Sequence, residues 1–348
     1  MSPTSPSRPI RVALDAMGGD HAPGVTAEGA VLAVQESHGS LEVVLVGREA
    51  EVREALSSRN ADGLAIEILD APEVIGMGES PSASLKGKPH SSIHVGLGAH
   101  KAGKVDAFAS AGNTGAVMAA STFILGRLPG VLRPALPGYF PTVSGMCICV
   151  DVGANVDVRA DLLVQFATMG RVFAQHSLRK ENPSVALVNV GEEPGKGTEV
   201  VKETFERLSE MDDLGFIGNI EGRDVFHHGA DVIVCDGFVG NVMLKLGESF
   251  STILPHLFGT EIEKQGLSAD VASGVKSILR GVAARFDYEN YGGVPLLGVG
   301  GTAVIGHGGS SARAIARMVT HTAELVAGGV TEHVAQAIAR PSADTVSA

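Results

Sequence analysis

Ala107 to Leu125, AFASAGNTGAVMAASTFIL, runs from a short apolar strand into a small-residue helix through Ser110, Gly112, Asn113, Thr114 and Gly115. These residue types in this order suit an anion. Glycines let backbone N–H groups converge, hydroxyls and an amide add donors, and the helix start adds a partial positive charge. Related loops recur at Asp15 to Pro23 (DAMGGDHAP), Cys235 to Asn241 (CDGFVGN), Tyr291 to Val294 (YGGV) and His307 to Ser311 (HGGSS). Together they imply a small anion handled beside a carbonyl. Val188 to Thr198, VNVGEEPGKGT, adds a cation, because Lys196 stands between glycines, near Glu192 and Glu193 and just ahead of a helix. A lysine beside acidic residues is ordinarily a solvated surface pair. The glycine flanks and the preceding strand favour anion binding instead. Asn241 is equally two-sided, a turn or cap residue or a donor to an oxyanion.

The elements that must carry these loops alternate along the chain. Apolar segments of strand length lie at Arg11 to Leu14, Glu42 to Val46, Ile66 to Leu69, Ala107 to Ser110, Met146 to Val152, Val185 to Val190 and Val232 to Cys235. Helical patterns lie at Ala27 to Gln35, Glu49 to Ser58, Thr114 to Leu125, Asp161 to Ala174, Thr198 to Met211 and Ser311 to Val326. The alternation predicts a parallel or mixed sheet covered by helices on both sides, with ligands gathered at the carboxyl ends of the strands. No linker or repeat divides the chain, so residues 10–340 read as one catalytic α/β unit, with room for two lobes around a cleft. Residues 1–9, MSPTSPSRP, read as a flexible tail, and 341–348 as a frayed one. From Leu254 to Asp287 the pattern predicts two helices, broken near Gly266 to Asp270, projecting between the CDGFVGN and YGGV loops.

Composition narrows the function. The 348 residues carry a net charge of −12, no tryptophan and only 4% aromatic residues, which disfavours nucleic acid as a partner. No apolar run approaches the ~20 residues of a membrane span, and the N-terminus has no apolar signal segment. A cytoplasmic location is expected. The signatures of P-loop nucleotidases, Rossmann dehydrogenases, serine hydrolases and zinc proteases are absent. Cys147, Cys149 and Cys235 are too few for a disulfide framework or a zinc site, and Cys147 and Cys149 fall on one strand face as small buried residues. His90 and His94 share a helix face without an obvious third ligand. Neither a metal nor a cofactor is called for.

The loops taken together are more specific than any one of them. DAMGGDHAP, SAGNTGA, RPAL at Arg133, DVGAN at Asp151, NVGEEPGKG, IGNIEGRD, CDGFVGNVMLK, YGGVPLLG and HGGSS resemble, in collinear order over roughly Ile10 to Met318, the bacterial PlsX family of phosphate acyltransferases. The resemblance implies conversion of acyl-ACP and inorganic phosphate to acyl phosphate and free ACP, for phospholipid synthesis. It implies Lys196 and Asn241 as the catalytic pair, with the division of labour between them open. Ser110, Asn113, Thr114 and Gly115 would line the phosphate site. Asp15, Gly18, Gly19 and Asp20, with Asp236, Gly237 and Gly240 and with His307 and Ser310, would shape the cleft. It further implies a three-layer α/β/α sandwich akin to isopropylmalate dehydrogenase and phosphotransacetylase, a homodimer, attachment to the inner face of the membrane, and a downstream glycerol-3-phosphate acyltransferase. The chemistry suits these residues. Phosphate is a competent nucleophile near neutral pH, and a thiolate with pKa about 8.5 leaves without a strong acid, so positioning and oxyanion stabilisation are what remain to supply. A phosphotransacetylase-like enzyme acting on acyl-CoA would use the same loops, and a non-catalytic membrane scaffold would not need them. Between Val271 and Phe286, an apolar stripe of Val271, Val275, Ile278, Leu279, Val282 and Phe286 has Lys276, Arg280 and Arg285 outside it, a pattern that fits anionic lipid or a second subunit equally.

Overall fold

A computed structural model describes residues 8–286 and 291–339. Most of both expected tails, together with Asp287 and Arg340, lies outside the described residues. Eleven described strands build two sheets rather than one. The first contains β1 (Ile10–Asp15), β2 (Leu41–Gly47), β3 (Ile66–Asp70), β4 (Ala107–Ser110), β10 (Val294–Pro295) and β11 (Thr302–Ile305), in the spatial order β10-β11-β4-β1-β2-β3. The second contains β5 (Pro137–Thr142), β6 (Gly145–Val150), β7 (Val185–Asn189), β8 (Phe216–Glu221) and β9 (Val232–Val234), in the order β5-β6-β9-β7-β8. Each sheet is parallel except at one edge, where β10 pairs antiparallel to β11 and β5 antiparallel to β6. Isolated bridges from Arg127 to Val299 and from Ala135 to Leu297 tie the segment that leads from the first sheet into β5 to the connection between β10 and β11.

Central parallel strands are covered on both faces, so their sequences are apolar without alternation. In β1 Val12, Ala13 and Leu14 are fully buried, and in β9 Val232, Ile233 and Val234 are too. Helices α1 (Gly24–Glu36), α2 (Glu49–Ser57), α3 (Pro81–Gly87), α4 (Ser92–Lys101), α5 (Thr114–Ile124), α6 (Ala160–Ser177), α7 (Glu199–Ser209), α10 (Ala312–Ala327) and α11 (Val330–Ala339) supply the cover. Phe108, Phe140, Phe166 and Phe173 are the largest fully buried side chains. The helix-covered, mostly parallel sheet that the alternation predicts is therefore present as two sheets, in keeping with the α/β sandwich that the resemblance implies.

The projecting helices need correction at one end. The first, α8 (Gly237–Lys264), starts at the CDGFVGN loop itself, and the second, α9 (Ala269–Ala283), follows the expected break. Glycines at 237 and 240 disguise the first turns, whose start is set by the Asp236 carboxylate accepting from the Val239 N–H at 2.8 Å. The amphipathic stripe of α9 is also divided. Leu279 is buried and Val275 half-buried where α9 packs on α8, whereas Val271, Ile278 and Val282 are exposed. Arg285 is tied down as well, donating to the Thr142 carbonyl at 2.6 Å.

Candidate active site

Between the two sheets lies a cavity of about 380 Å³, within the range of small-ligand sites. Its walls come from β5, the first turns of α8, the loop of Tyr291 to Val294, and the segment from β11 into α10. Thr114, Gly153, Asn241, His307 and Ser310 supply polar groups, and the rest of the lining is largely apolar.

The six-stranded sheet contributes three interlocked loops. Asp15, at the end of β1, is 1% exposed and accepts hydrogen bonds from the Ser110 hydroxyl at 2.7 Å and the Met17 N–H at 3.1 Å. Burial pushes its carboxyl above the usual carboxylate range, opposed by the Ser92 and Ser110 hydroxyls. Ser110 in turn accepts from the Gly112 N–H at 3.0 Å. Gly18 is wedged between them, since a Cβ there would sit 2.5 Å from the Asp15 Oδ2 and 2.8 Å from the Gly112 nitrogen. The Asp20 N–H donates to the Gly308 carbonyl at 2.8 Å, and Gly19 packs against the same carbonyl, joining DAMGGD to HGGSS. The Asp20 side chain itself is exposed.

The members of SAGNTG divide into supports and presented groups. Asn113 caps α5 by accepting from the Ala116 N–H at 3.0 Å, and its amide donates to the carbonyls of Gly76, Met77 and Glu79 at 2.9 to 3.2 Å. Its donors thus hold the chain of residues 76–79. Gly115 gives room to Pro81, which lies 2.6 Å from where a Cβ would be. Thr114 is the exposed member that lines the cavity, together with His307 and Ser310 from the third loop. The Ser310 hydroxyl donates to the His307 carbonyl at 2.7 Å, which fixes that turn.

The five-stranded sheet answers with Asp151, one residue past β6. It is fully buried and accepts from the N–H groups of Leu136 at 3.0 Å and Asn155 at 2.6 Å, and from the Asn155 amide at 3.0 Å. Burial raises its carboxyl pKa too. The Gly237 N–H donates to the Asn155 carbonyl at 2.8 Å, and a Cβ on Gly240 would overlap the Asp151 carbonyl. These contacts press the start of α8 onto the DVGAN loop. They leave the exposed Asn241 beside Gly153, with the amide oxygen 3.6 Å from where a Gly153 Cβ would be.

Lys196 does not line the cavity. It follows β7, which neighbours β9 in the sheet, so the two loops emerge side by side; its ammonium lies 4.0 Å from Glu193 with about half of the side chain exposed. The sequence reading passed over Asp151 and Asn155 as site supports, although DVGAN names them. It also passed over Lys245 and Glu248, which share a cavity wall with Asn241 and pair at 2.8 Å; their spacing of four and seven residues from Asn241 on one helix was the available signal. The cysteines behave as small core residues. All three are buried, and burial pushes the Cys147 thiol up to about 12. Among the described residues no group of three or more His, Cys, Asp or Glu side chains is placed to hold a metal.

Both the sequence and the fold are shared with known proteins. The phosphate acyltransferase of Salinibacter ruber is 51% identical over 329 residues, covering 94% of this chain and 96% of its own. That of Chlorobaculum parvum is 43% identical over 334 residues, covering 94% and 98%. Among solved structures, the EutD phosphotransacetylase from Staphylococcus aureus shares the fold, with a TM-score of 0.59, 16% identity, and coverage of 91% of this chain and 94% of its own. A phosphotransacetylase from Streptococcus pyogenes gives the same TM-score at 18% identity, with coverage of 91% and 94%. The family described as "Fatty acid synthesis protein" matches residues 10–333, and with relatives this similar over nearly the whole chain, the protein belongs to that family, the PlsX phosphate acyltransferases whose motifs it carries.

Proposed function

We propose that this chain transfers an acyl group from the thioester of acyl-ACP to inorganic phosphate, giving acyl phosphate and free ACP. One observation carries the reading: one cavity gathers Thr114 at the start of α5, the turn of His307 and Ser310 and the Asn241 amide within otherwise largely apolar walls. A phosphate oxygen attacks the thioester carbonyl carbon, the carbonyl oxygen takes up the negative charge, and collapse of the tetrahedral intermediate expels the ACP thiolate. Asn241 lines the cavity, so its amide N–H is the donor to that oxyanion. Lys196, on the adjoining loop, is left to neutralise the incoming phosphate, with Thr114 and the first turn of α5 orienting it. Residues 10–340 form one catalytic unit in this reading because both sheets wall the cavity. The carboxylates of Asp15 and Asp151 are engaged in holding loops and are not assigned proton transfer.

The surfaces extend the proposal. On α8 the exposed Phe238, Val242, Leu246, Ile253 and Leu257 form a stripe suited to a second copy of the chain. Val271, Ile278 and Val282 on α9, flanked by Lys276 and Arg280, suit the anionic inner face of a membrane, where acyl phosphate would pass to a glycerol-3-phosphate acyltransferase. Among the described residues no helix is long and apolar enough to cross a membrane.

The test is thiol release from acyl-ACP and from acyl-CoA, each with and without phosphate, in the presence of EDTA. Phosphate-dependent release from acyl-ACP that chelation leaves intact is expected. Release only from acyl-CoA would transfer the assignment to a phosphotransacetylase-like donor, and a requirement for a divalent ion would overturn the metal-free mechanism.

A further inference from the structure

The cavity is far larger than phosphate needs, and its two main walls run in one direction. Along α8, Asn241, Leu244, Lys245, Gly247 and Glu248 line it, a stretch of about 10 Å of helix. Along β5, Pro137 to Phe140 line it, about 10 Å of strand. Both walls start at the reactive end. Pro137 pairs with Val150 beside the DVGAN loop, and Gly138 lies against Val152, while a Cβ on Gly247 would be 3.9 Å from Phe140.

That far end is aromatic. Phe140 and Phe286 line the cavity, and behind them Phe226 lies 6.4 Å from Phe140 and 5.8 Å from Phe286 between ring centroids. Phe250 closes the group at 5.7 Å from Phe226 and 5.5 Å from Phe286, with tilted and edge-on geometries that hold aromatic rings in place. The one ion pair on the wall does not make this end polar. Lys245 and Glu248 pair with each other at 2.8 Å, so the two charges on this wall neutralise one another. The Tyr139 hydroxyl is engaged with His321 at 3.4 Å.

We propose that this aromatic cluster is the floor of an acyl-chain pocket, and that Phe286 and Phe140 set the longest chain accommodated with the thioester carbonyl at Asn241. The inference rests on the acyl-transfer reading and adds a specificity determinant to it. A chain shorter than the pocket gains with each added carbon, because every buried methylene is worth about fourfold in affinity. A chain that reaches the rings must displace them or withdraw its carbonyl from Asn241. Specificity should therefore rise with length and then break sharply.

The experiment measures kcat/KM across saturated acyl-ACP donors of graded length for the wild type, Phe286→Ala and Leu244→Trp, with folding checked by circular dichroism and thermal melting. Phe286→Ala opens the floor and should move the break to chains at least two carbons longer. Leu244→Trp fills the cavity from the α8 wall and should move it to shorter ones, so the pair remains informative where one variant is poorly folded. A break that stays in place in a folded variant overturns the proposal while leaving acyl transfer to phosphate intact. Calorimetric binding of alkylphosphonates of graded length to the same proteins separates the two readings. If no donor is turned over, the acyl-transfer reading fails by itself, and alkylphosphonate affinity that shifts with the two variants in the same directions still supports the pocket. Affinity independent of chain length overturns it.

Discussion

At the carboxyl end of β1 the buried carboxylate of Asp15 holds a hydroxyl from a neighbouring strand, whereas past the end of β6 the buried carboxylate of Asp151 holds backbone and the amide of its own loop. Both strand ends use the same device, a desolvated Asp with a glycine pressed against it and a helix start nearby. They use it for different work. Around Asp15, loops from three strands close on one another, and Ser110 and Asn113 are consumed as supports, so the result is a rigid platform whose presented groups are Thr114, His307 and Ser310. Around Asp151 the loop clamps the first turn of α8, and the product is one exposed amide, Asn241, at the mouth of an apolar cavity. A buried carboxylate is thus a way of stiffening a glycine-rich loop, and what the loop then presents decides its chemistry.

The largest effect that follows is on turnover. Asn241→Ala is expected to lower phosphate-dependent acyl transfer by about two orders of magnitude or more with an unchanged melting midpoint, the loss typical of a missing oxyanion donor. Lys196→Ala should behave alike. Ser110→Ala should differ in kind, because it strips a donor from a buried carboxylate and so costs about 1–3 kcal/mol of stability along with phosphate affinity. Steady-state kinetics beside denaturant unfolding checks all three, and near-normal transfer by folded Asn241→Ala would remove the five-stranded half from the chemistry.

The glycines sharpen the comparison next. Gly240→Ala drives a methyl group into the Asp151 carbonyl, a backbone atom with nowhere to go, and should cost at least about 3 kcal/mol. Gly18→Ala meets the Asp15 side chain and the Gly112 nitrogen and should cost about 1–3 kcal/mol, since part of the strain can relax through the carboxylate. Urea unfolding of the two variants reads the difference. The reverse order would mean that the Asp15 platform, and not the clamp on α8, is the stiffer end.

How much of this the sequence disclosed depends on the kind of signal. Central strands such as Val43 to Val46 and Val232 to Val234 announce themselves because burial on both faces demands unbroken apolar runs. The edge strand β5, PGYFPT, begins with one proline and contains another, and reads as loop for that reason. The start of α8 was hidden by Gly237 and Gly240, which weaken helix propensity yet are required where helix meets loop. Loop wording located the polar groups but could not separate presenters from supports. Asn113 and Thr114 are adjacent in sequence, yet the first is spent on three carbonyls from residues 76–79 and the second faces the cavity. The cavity was least legible, because it is assembled from β5, α8, α10 and the segment of Tyr291 to Val294, which no local pattern links.

Smaller still is the effect of pH, and its sign separates buried clamps from surface pairs. Asp15 and Asp151 have folded-state pKa values raised above 3.8 by burial, so each carboxyl stabilises the fold most below that pH and loses this contribution as pH rises through its folded pKa. Asp15→Asn and Asp151→Asn, which do not titrate, should therefore be most costly near pH 4 and less so near pH 8. Glu324 is the opposite case. A hydrogen bond from His321, then Arg317, lowers its pKa to about 2, so its contribution is present above pH 4.5 and fades toward pH 2. Unfolding of Glu324→Gln across the same range should show the reverse slope. A cost of Asp15→Asn that grows with pH would mean that the carboxylate works as a charge, against the loop-clamp account.

The last effect concerns a surface outside both strand ends, where the sequence left lipid and subunit contact equally open. The structure removes Leu279 from the question, since it is buried where α9 packs on α8, and leaves Val271, Ile278 and Val282 exposed with Lys276 and Arg280 on the same helix. If this face lies on lipid, each of the two basic residues gains about 1 kcal/mol near an anionic surface, and that gain is screened as salt shortens the Debye length. Ile278→Glu with Val271→Glu should then release the protein from anionic vesicles in a flotation assay, and the wild type should itself bind less as salt is raised. Soluble acyl transfer should persist, because neither residue touches the cavity or the loops. If the double variant keeps its vesicle binding but sediments as a monomer where the wild type sediments as a dimer, the α9 face is a subunit seam. The membrane contact then belongs to another surface.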